Sequence, residues 1–309
     1  MARVTVGRER DEAREAKKET PLRWPIAAIL LAAFAIRVFG MGYGLPYPLS
    51  SEERRVVKQG FDFIMKGAAE QKPAAFTMKG LLPPRGDNPV IMSYVLAGEY
   101  GAAFGVGHLL GRFPFLTDYK ARFYKRPTLF YILGRLTSAL FGLLSIYVIY
   151  KMCATFFEWG VGVMAAFILA VEPHHVAMCQ RGTGEALALL FAMVGLYHLI
   201  NTDDERRIGG TFVGMFLMGF AASVEFWYAG LFIFALAVYL ITVAPTYKVS
   251  AWIFGIPGLV LSFLVGLLLP NGMLLMHWRE FAAGFAKSVY LNGFTGALGD
   301  AGRSAQFAR

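Results

Sequence analysis

The sequence is poor in the residues that build disulfide frameworks and metal sites. It has two cysteines and five histidines among 309 residues, and Cys153 and Cys179 lie at different ends of one apolar segment. Secreted disulfide scaffolds carry several paired cysteines, and helical zinc sites place their ligands about three or four residues apart. His174 and His175 are adjacent, so a helix would not place both rings on one face. The sequence therefore predicts neither a disulfide framework nor a metal site.

Acidic residues are also in the minority, with 21 Asp and Glu against 30 Lys and Arg. In a soluble protein the resulting net charge of +9 would indicate a nucleic-acid partner. However, 56% of the chain is hydrophobic, which exceeds the roughly 45–50% of soluble domains. We therefore expect the basic residues to meet phosphate-rich lipid surfaces, and we expect membrane lipids rather than nucleic acid as partners.

The apolar residues are concentrated in runs about as long as a helix needs to cross a bilayer core of roughly 30 Å. They predict an all-α polytopic membrane protein with about seven transmembrane helices. The predicted spans cover approximately residues 23–44, 128–150, 160–176, 186–201, 208–225, 227–244 and 251–269. The first span follows a long charged tail, so a cleaved signal peptide is a poor interpretation.

Residues 45–127, between the first two spans, form one large loop that is too polar to cross as a whole. Its stretch SEERRVVKQGFDFIMKG predicts an amphipathic helix lying along the membrane surface. The apolar side of this helix consists of Val56, Val57, Phe61, Ile64 and Met65. Residues 89–111 are long enough to span, but polar residues and glycines interrupt them around Ser93, Gly98 and Glu99. We interpret this second stretch as an interfacial helix.

The positive-inside rule supports that interpretation. If residues 89–111 do not cross, then Lys151, Arg206, Arg207 and Lys248 fall on the same side as the basic N-terminal tail. The N-terminus is then cytosolic, and the loop 45–127 faces the extracytoplasmic side. The predicted divisions are a cytosolic tail (1–22), a transmembrane module (23–285) and a Gly/Ala-rich tail (286–309). We favour a bacterial inner membrane over the endoplasmic reticulum.

Ionisable side chains at the outer boundary are the candidate functional residues, because charges at a membrane are costly. They are Glu52, Glu53, Arg135, Glu172, His174, His175, Arg181, Glu185 and Glu225. Other interpretations stay open for several of them. Glu52 and Glu53 would also favour the N-terminal dipole of a helix. Arg135 and Arg181 would also be explained by guanidinium groups that extend to lipid headgroups.

Three stretches carry a family resemblance. They are AIRVFGMGYGLPYPLSSEERRVV, residues 129–200, and GGTFVGMFLMGFAASVEFWYAGLFIF with the later LLLPNGMLLMHWREF. In order and spacing they resemble polytopic glycosyltransferases of the GT-C superfamily, in particular the protein-mannosyltransferase and aminoarabinose-transferase-like branch. The resemblance covers about residues 24–285. It implies a GT-C-like module with interfacial helices in its first outer loop.

The resemblance also implies a function and its residues. Such enzymes move a sugar from a polyprenyl-phosphate carrier to an acceptor on the outer face. The family's catalytic acid falls on Glu52, with Glu53 beside it, and a carboxylate there is suited to act as general base. Arg135 and Arg181 would bind the carrier phosphate, and His175 falls on the family's histidine. Glu185 would orient the acceptor or, as in metal-dependent relatives, help to hold a divalent cation.

The sequence departs from the family pattern at three points. Glu52 replaces the usual aspartate, Glu225 replaces a frequent lysine, and the chain stops where typical members continue with further spans. Two other functions therefore stay open. One is a catalytically inactive GT-C-like subunit that scaffolds a membrane complex, with a partner subunit supplying the missing C-terminal elements. The other is a protein that binds or transports polyprenyl phosphate or another lipid.

Overall fold

The structure, a computed structural model, describes residues 24–46, 48, 50–69, 91–200, 207–242, 255–271 and 279. The predicted tails, residues 1–22 and 286–309, lie outside the described residues. All regular structure within the described residues is helical, which confirms the all-α prediction for them. The helices are α1 (Trp24–Phe39), α2 (Ser51–Ala69), α3 (Ile91–Leu109), α4 (Leu116–Lys125), α5 (Thr128–Phe156), α6 (Trp159–Val171), α7 (Pro173–Cys179), α8 (Glu185–Ile200), α9 (Arg207–Val224), a 3₁₀ helix (Phe226–Gly230), α10 (Leu231–Thr242) and α11 (Ile256–Leu268).

Each predicted span coincides with one or two of these helices, but most of the helices are short. Of the described helices, α5 alone has the length and apolarity to cross a bilayer, with 29 residues. Helices α6 and α7 qualify together, although the chain bends by 64° between them. Apolar helices of 10–17 residues correspond to the other five predicted spans. The helical positions are thus as predicted, whereas seven complete crossings are not confirmed.

Large apolar side chains cover the outer surface of several helices. Leu31 on α1 is 72% exposed, Met164 on α6 is 65% exposed and Ile233 on α10 is 73% exposed. In water, exposed apolar surface costs about 25 cal/mol per Å² relative to burial, and an acyl-chain environment removes that cost. The exposed residues are therefore consistent with helices that face lipid.

Helix α2 turns its apolar side toward protein. Val57 and Phe61 are fully buried in a cluster with residues of α3, α4 and α5. The Phe61 ring stacks on Phe123 of α4 with a centroid distance of 3.9 Å. The amphipathic helix was predicted correctly, and the prediction that it lies along the membrane surface stays a prediction. Aromatic side chains from three other helices cover its apolar side.

Two tyrosine hydroxyls join the loop helices to the start of α5. The Tyr100 hydroxyl on α3 donates to the Phe130 carbonyl at 3.0 Å. The Tyr119 hydroxyl on α4 donates to the Tyr100 carbonyl at 2.9 Å. Both tyrosines are fully buried, so these bonds satisfy polar groups that would otherwise be costly to bury. Helices α2, α3 and α4 therefore form one packed layer against the beginning of α5.

The second half of the fold packs α9 between α8 and α11. Glycines allow α8 and α9 to approach closely. A Cβ atom on Gly214 would lie 2.8 Å from the Gly195 carbonyl oxygen, and a Cβ atom on Gly195 would lie 2.9 Å from the Gly214 carbonyl oxygen. Close backbone approach at small residues is the usual basis of helix packing in membranes.

We predict that Phe61→Ala destabilises the protein by about 3–5 kcal/mol, because it opens a cavity in the aromatic cluster. The control is Phe157→Ala, whose ring is 61% exposed and whose loss should cost less than about 0.5 kcal/mol. Unfolding of the two variants in the same detergent, followed against temperature or denaturant, measures the difference. Similar losses for both variants would contradict the burial of α2 against α3, α4 and α5.

Candidate active site

A cavity of about 470 Å³ lies where the turn after α1 meets the ends of α2 and α7. Its polar lining comes from three stretches that are distant in sequence: residues 43–53, Arg135 and residues 180–181. The lining includes Tyr43, Ser50, Glu53, Arg135, Gln180 and Arg181. Candidate residues from the first loop, the second predicted span and the turn after α7 are therefore brought together at one place.

A buried ion pair forms one wall of this cavity. Arg135 Nε donates to Glu53 Oε1 at 2.6 Å, and Arg135 Nη2 donates to Glu53 Oε2 at 2.9 Å. The two residues are only 5% and 1% exposed, respectively. Such a two-point contact matches the planar guanidinium to the carboxylate and is among the strongest polar contacts in proteins. It compensates two charges that would be very costly to bury alone.

The same pair holds two further segments in place. Arg135 Nη1 donates to the carbonyls of Met41 and Tyr43, at 2.6 and 2.7 Å. Glu53 Oε1 also accepts a hydrogen bond from the Gly182 amide at 3.0 Å. The pair thus connects the turn after α1, the first turn of α2, helix α5 and the loop between α7 and α8.

A second buried arginine, Arg37, joins α1 to α6 and α7. Its side chain is 0% exposed. Nη1 donates to the carbonyls of Ala33 and Ala170, at 2.9 and 3.2 Å, and Nη2 lies 2.6 Å from His175 Nδ1. A guanidinium can only donate, so His175 Nδ1 must accept and the ring must be neutral with its proton on Nε2. That nitrogen faces the Cys179 sulfur at 3.9 Å.

Hydrogen bonds at both ends of helix α7 hold it in place, and they position the residues that follow it. The Glu172 carboxylate accepts from the His174 amide at 3.0 Å and from the His175 amide, which satisfies free donors of the first turn. At the other end, Gln180 Nε2 donates to the Ile36 carbonyl at 3.2 Å. Arg181 is the next residue, and its side chain is exposed and lines the cavity.

Three carboxylates lie beside the cavity rather than inside its buried wall. Glu52, Glu185 and Glu225 are close enough for their charges to repel one another, and Arg181 is close enough to attract Glu185. Glu52 also lies 3.5 Å from Arg55, and its side chain is 37% exposed. A Cβ atom on Gly184 would lie 3.2 Å from Glu225 Oε1. The site thus has a basic part at Arg181 and an acidic part at these three residues.

The predicted site residues fall into two groups by exposure. Glu53, Arg135 and His175 are buried and bonded to other protein groups. Glu52, Arg181 and Glu185 keep part of their side chains open to the surroundings. In the described part of the chain, no three His, Cys, Asp or Glu side chains are grouped as metal ligands.

Arg37 and Gln180 also belong to this region, and neither was predicted from the sequence to do so. The signal for Arg37 was present, since an arginine inside an apolar run is costly and needs a partner. Gln180 gave no comparable signal, because a glutamine beside a helix end is ordinary on any surface.

Residues 132–269 match the model of the family described as dolichyl-phosphate-mannose-protein mannosyltransferase. The chain is similar to mannosyltransferases. The match covers less than half of the sequence and runs from α5 to the end of α11, so it includes Arg135, His175, Arg181 and Glu185 but not Glu52 or Glu53. It supports the resemblance to GT-C-type glycosyltransferases. Searches of curated proteins and of solved structures give no match.

We predict that Glu53→Gln and Arg135→Gln each destabilise the protein by about 3–5 kcal/mol, because each leaves one buried charge unpaired. The double variant Glu53→Gln/Arg135→Gln should lose clearly less than the sum of the two. The matched control is Glu52→Gln, the neighbouring and partly exposed acid, which should change stability by less than about 0.5 kcal/mol. Thermal unfolding measures all four variants, and strictly additive losses would contradict the ion pair.

A second prediction concerns the acceptor that His175 offers to Arg37. His175→Asn should retain most of the stability, because the amide oxygen can take the place of Nδ1. His175→Leu should lose about 1–3 kcal/mol or more, because it leaves a buried charged donor without its partner. Thermal unfolding of the two variants distinguishes the cases. Equal losses would show that the hydrogen bond to Arg37 contributes little.

Proposed function

We propose that the protein is an integral-membrane glycosyltransferase that moves a sugar from a polyprenyl-phosphate carrier to an acceptor on the outer face. The observation that carries the proposal is that an exposed guanidinium, Arg181, lines a preformed cavity and lies close enough to the partly exposed carboxylate of Glu185 to attract it. Phosphate-linked sugar transfer needs both kinds of group. The similarity of residues 132–269 to mannosyltransferases supports the same reaction class.

Arg181 is the residue we assign to the carrier phosphate. Its side chain is exposed and lines the cavity. It follows Gln180, whose hydrogen bond to the Ile36 carbonyl holds the end of α7. A guanidinium can hold two phosphate oxygens at once and can stabilise the negative charge that grows on the leaving phosphate. The 470 Å³ cavity is within the range of small-ligand pockets, roughly 300–1,000 Å³.

Glu52 is the residue we assign as general base. It follows Ser51 at the start of α2, and a helix rotates successive side chains by about 100°. Glu53 therefore faces Arg135, while Glu52 faces the side where Glu185 and Glu225 lie. In this arrangement the Glu52 carboxylate takes the proton of an acceptor hydroxyl as that oxygen attacks the anomeric carbon and the carrier phosphate leaves.

The buried residues would hold the exposed ones in position for this chemistry. Glu53 and Arg135 satisfy each other, so we assign them to holding Glu52 and the 182–184 loop in position rather than to direct contact with substrate. His175, bonded to Arg37, would hold α7 and thereby Arg181. Glu185, with Glu52 and Glu225 nearby, would orient the acceptor.

The proposed topology has seven crossings, with the N-terminus cytosolic and the cavity on the extracytoplasmic side. The seven predicted segments each coincide with described helices, and their exposed apolar surfaces support contact with lipid. Short helices can still cross as parts of a bundle where neighbouring protein covers their ends. The boundaries of the module, residues 23–285, belong to the same proposal.

The test uses the full chain in liposomes with dolichyl-phosphate mannose and undecaprenyl-phosphate mannose, each carrying labelled sugar. Release of sugar from the carrier, or its transfer to an added peptide acceptor, is measured. We expect Glu52→Gln to lower the turnover rate by about 10²–10⁴-fold, the range contributed by a general base. We expect Arg181→Gln to weaken carrier binding about 10- to 100-fold, the value of a charge-assisted contact.

Glu158→Gln is the matched control, because Glu158 is an exposed acid at the start of α6 and does not line the cavity. Its activity should equal that of the unaltered protein. Turnover that survives Glu52→Gln would remove the role of Glu52. Carrier binding that depends on Arg181 without any sugar release would instead support a lipid-binding protein. If the protein neither binds the carrier nor releases sugar, and if it copurifies with a stoichiometric partner under native conditions, the result would support a scaffolding subunit.

A further inference from the structure

We infer that a basic surface on α4 and the residues that flank it binds anionic phospholipid headgroups. This basic surface consists of Arg112, Lys120, Arg122, Lys125 and Arg126, all of which are exposed. It lies outside the cavity. The inference does not depend on the proposed glycosyltransferase activity.

The basic surface has a strong excess of one sign of charge. Within residues 112–126, Asp118 is the single acidic residue. Its carboxylate is already used, because Oδ2 accepts a hydrogen bond from the Phe115 amide at 3.3 Å and closes the first turn of α4. The five cations therefore present a concentrated positive field, of the kind that attracts anionic lipid surfaces.

The connection to α5 places this surface at the edge of the bilayer. Helix α4 ends at Lys125, and α5 begins at Thr128. Helix α5 has 29 residues, so its length is about 43 Å at 1.5 Å per residue. A bilayer core is about 30 Å thick, so the first turns of α5 reach headgroup depth. The three residues from Lys125 to Thr128 cover at most about 10 Å, which keeps the cations within reach of headgroups.

The packing of α4 holds its cations on the outer side. Tyr119 and Phe123, at 0% and 6% exposure, are buried in the aromatic cluster with Phe61. Helix α4 therefore has its apolar side anchored on protein. Its charged side chains cannot rotate into that interface, because the helix would lose the ring contacts.

Exposed apolar side chains beside the basic surface indicate which anion it meets. Leu109, Leu110 and Phe115 are 86%, 66% and 69% exposed, just before α4. A nucleic acid, or another surface that offers only anionic groups, would leave these side chains in water. A phospholipid bilayer can bind both kinds of side chain, since its anionic headgroups attract the cations and its acyl boundary buries the apolar residues. We therefore commit to anionic phospholipid as the partner.

The experiment measures the dissociation constants of the first phosphatidylglycerol and the first phosphatidylcholine bound to the full chain, by native mass spectrometry from a neutral detergent. We expect phosphatidylglycerol to bind roughly fivefold more tightly or better, from headgroup charge alone. We expect the preference to shrink as ammonium acetate rises from about 50 mM to about 500 mM, because salt screens exposed charges. Equal affinities at low salt would overturn the inference.

The test variant is Lys120→Gln/Arg122→Gln/Lys125→Gln/Arg126→Gln, which should lose the preference. The matched control removes four cations from the N-terminal tail, Arg8→Gln/Arg10→Gln/Lys17→Gln/Lys18→Gln, and should keep it. If the test variant fails to fold, Lys120→Gln/Arg122→Gln and Lys125→Gln/Arg126→Gln replace it, and each should weaken the preference. A preference that survives in the test variants, or falls equally in the tail control, would overturn the inference.

Discussion

The buried contact between Glu53 and Arg135 is the interaction on which the candidate site depends. It joins α2 to α5, and its remaining hydrogen bonds reach the turn after α1 and the loop at Gly182. An unpaired charge at that depth would be strongly destabilising, whereas a two-point pair with further hydrogen bonds to the backbone is tolerated. The pair therefore fixes four segments relative to one another, and those segments bear the residues that surround the cavity.

The charged residues of the site divide into those that hold the fold and those left to act. Arg37 and Arg135 are buried, and each donates to two carbonyls and contacts one side chain from another helix. Arg181 is exposed and Glu52 is partly exposed. The buried charges are thus bonded to protein groups, whereas those of Arg181 and Glu52 stay accessible.

The positions of the apolar helices could be predicted from the sequence, because long apolar runs indicate helices that suit a membrane. The place of α2 in the fold did not, since Phe61 suits lipid and protein equally well, and only the rings of Phe123 and Phe130 decide between them. The site was predicted as a set of residues but not as a network. Arg135 was expected on a phosphate, yet its partner stands 82 positions away, and nothing in a sequence shows which distant carboxylate a guanidinium will meet.

The most direct measurement is an experimental map of the full chain with undecaprenyl phosphate bound. We predict phosphate density within about 3 Å of the Arg181 guanidinium, with the contact between Glu53 and Arg135 unchanged. Phosphate found elsewhere would contradict the assignment of the cavity. Phosphate bound directly by Arg135, with Glu53 displaced, would show that the buried pair is a ligand site and not the support on which the site is built.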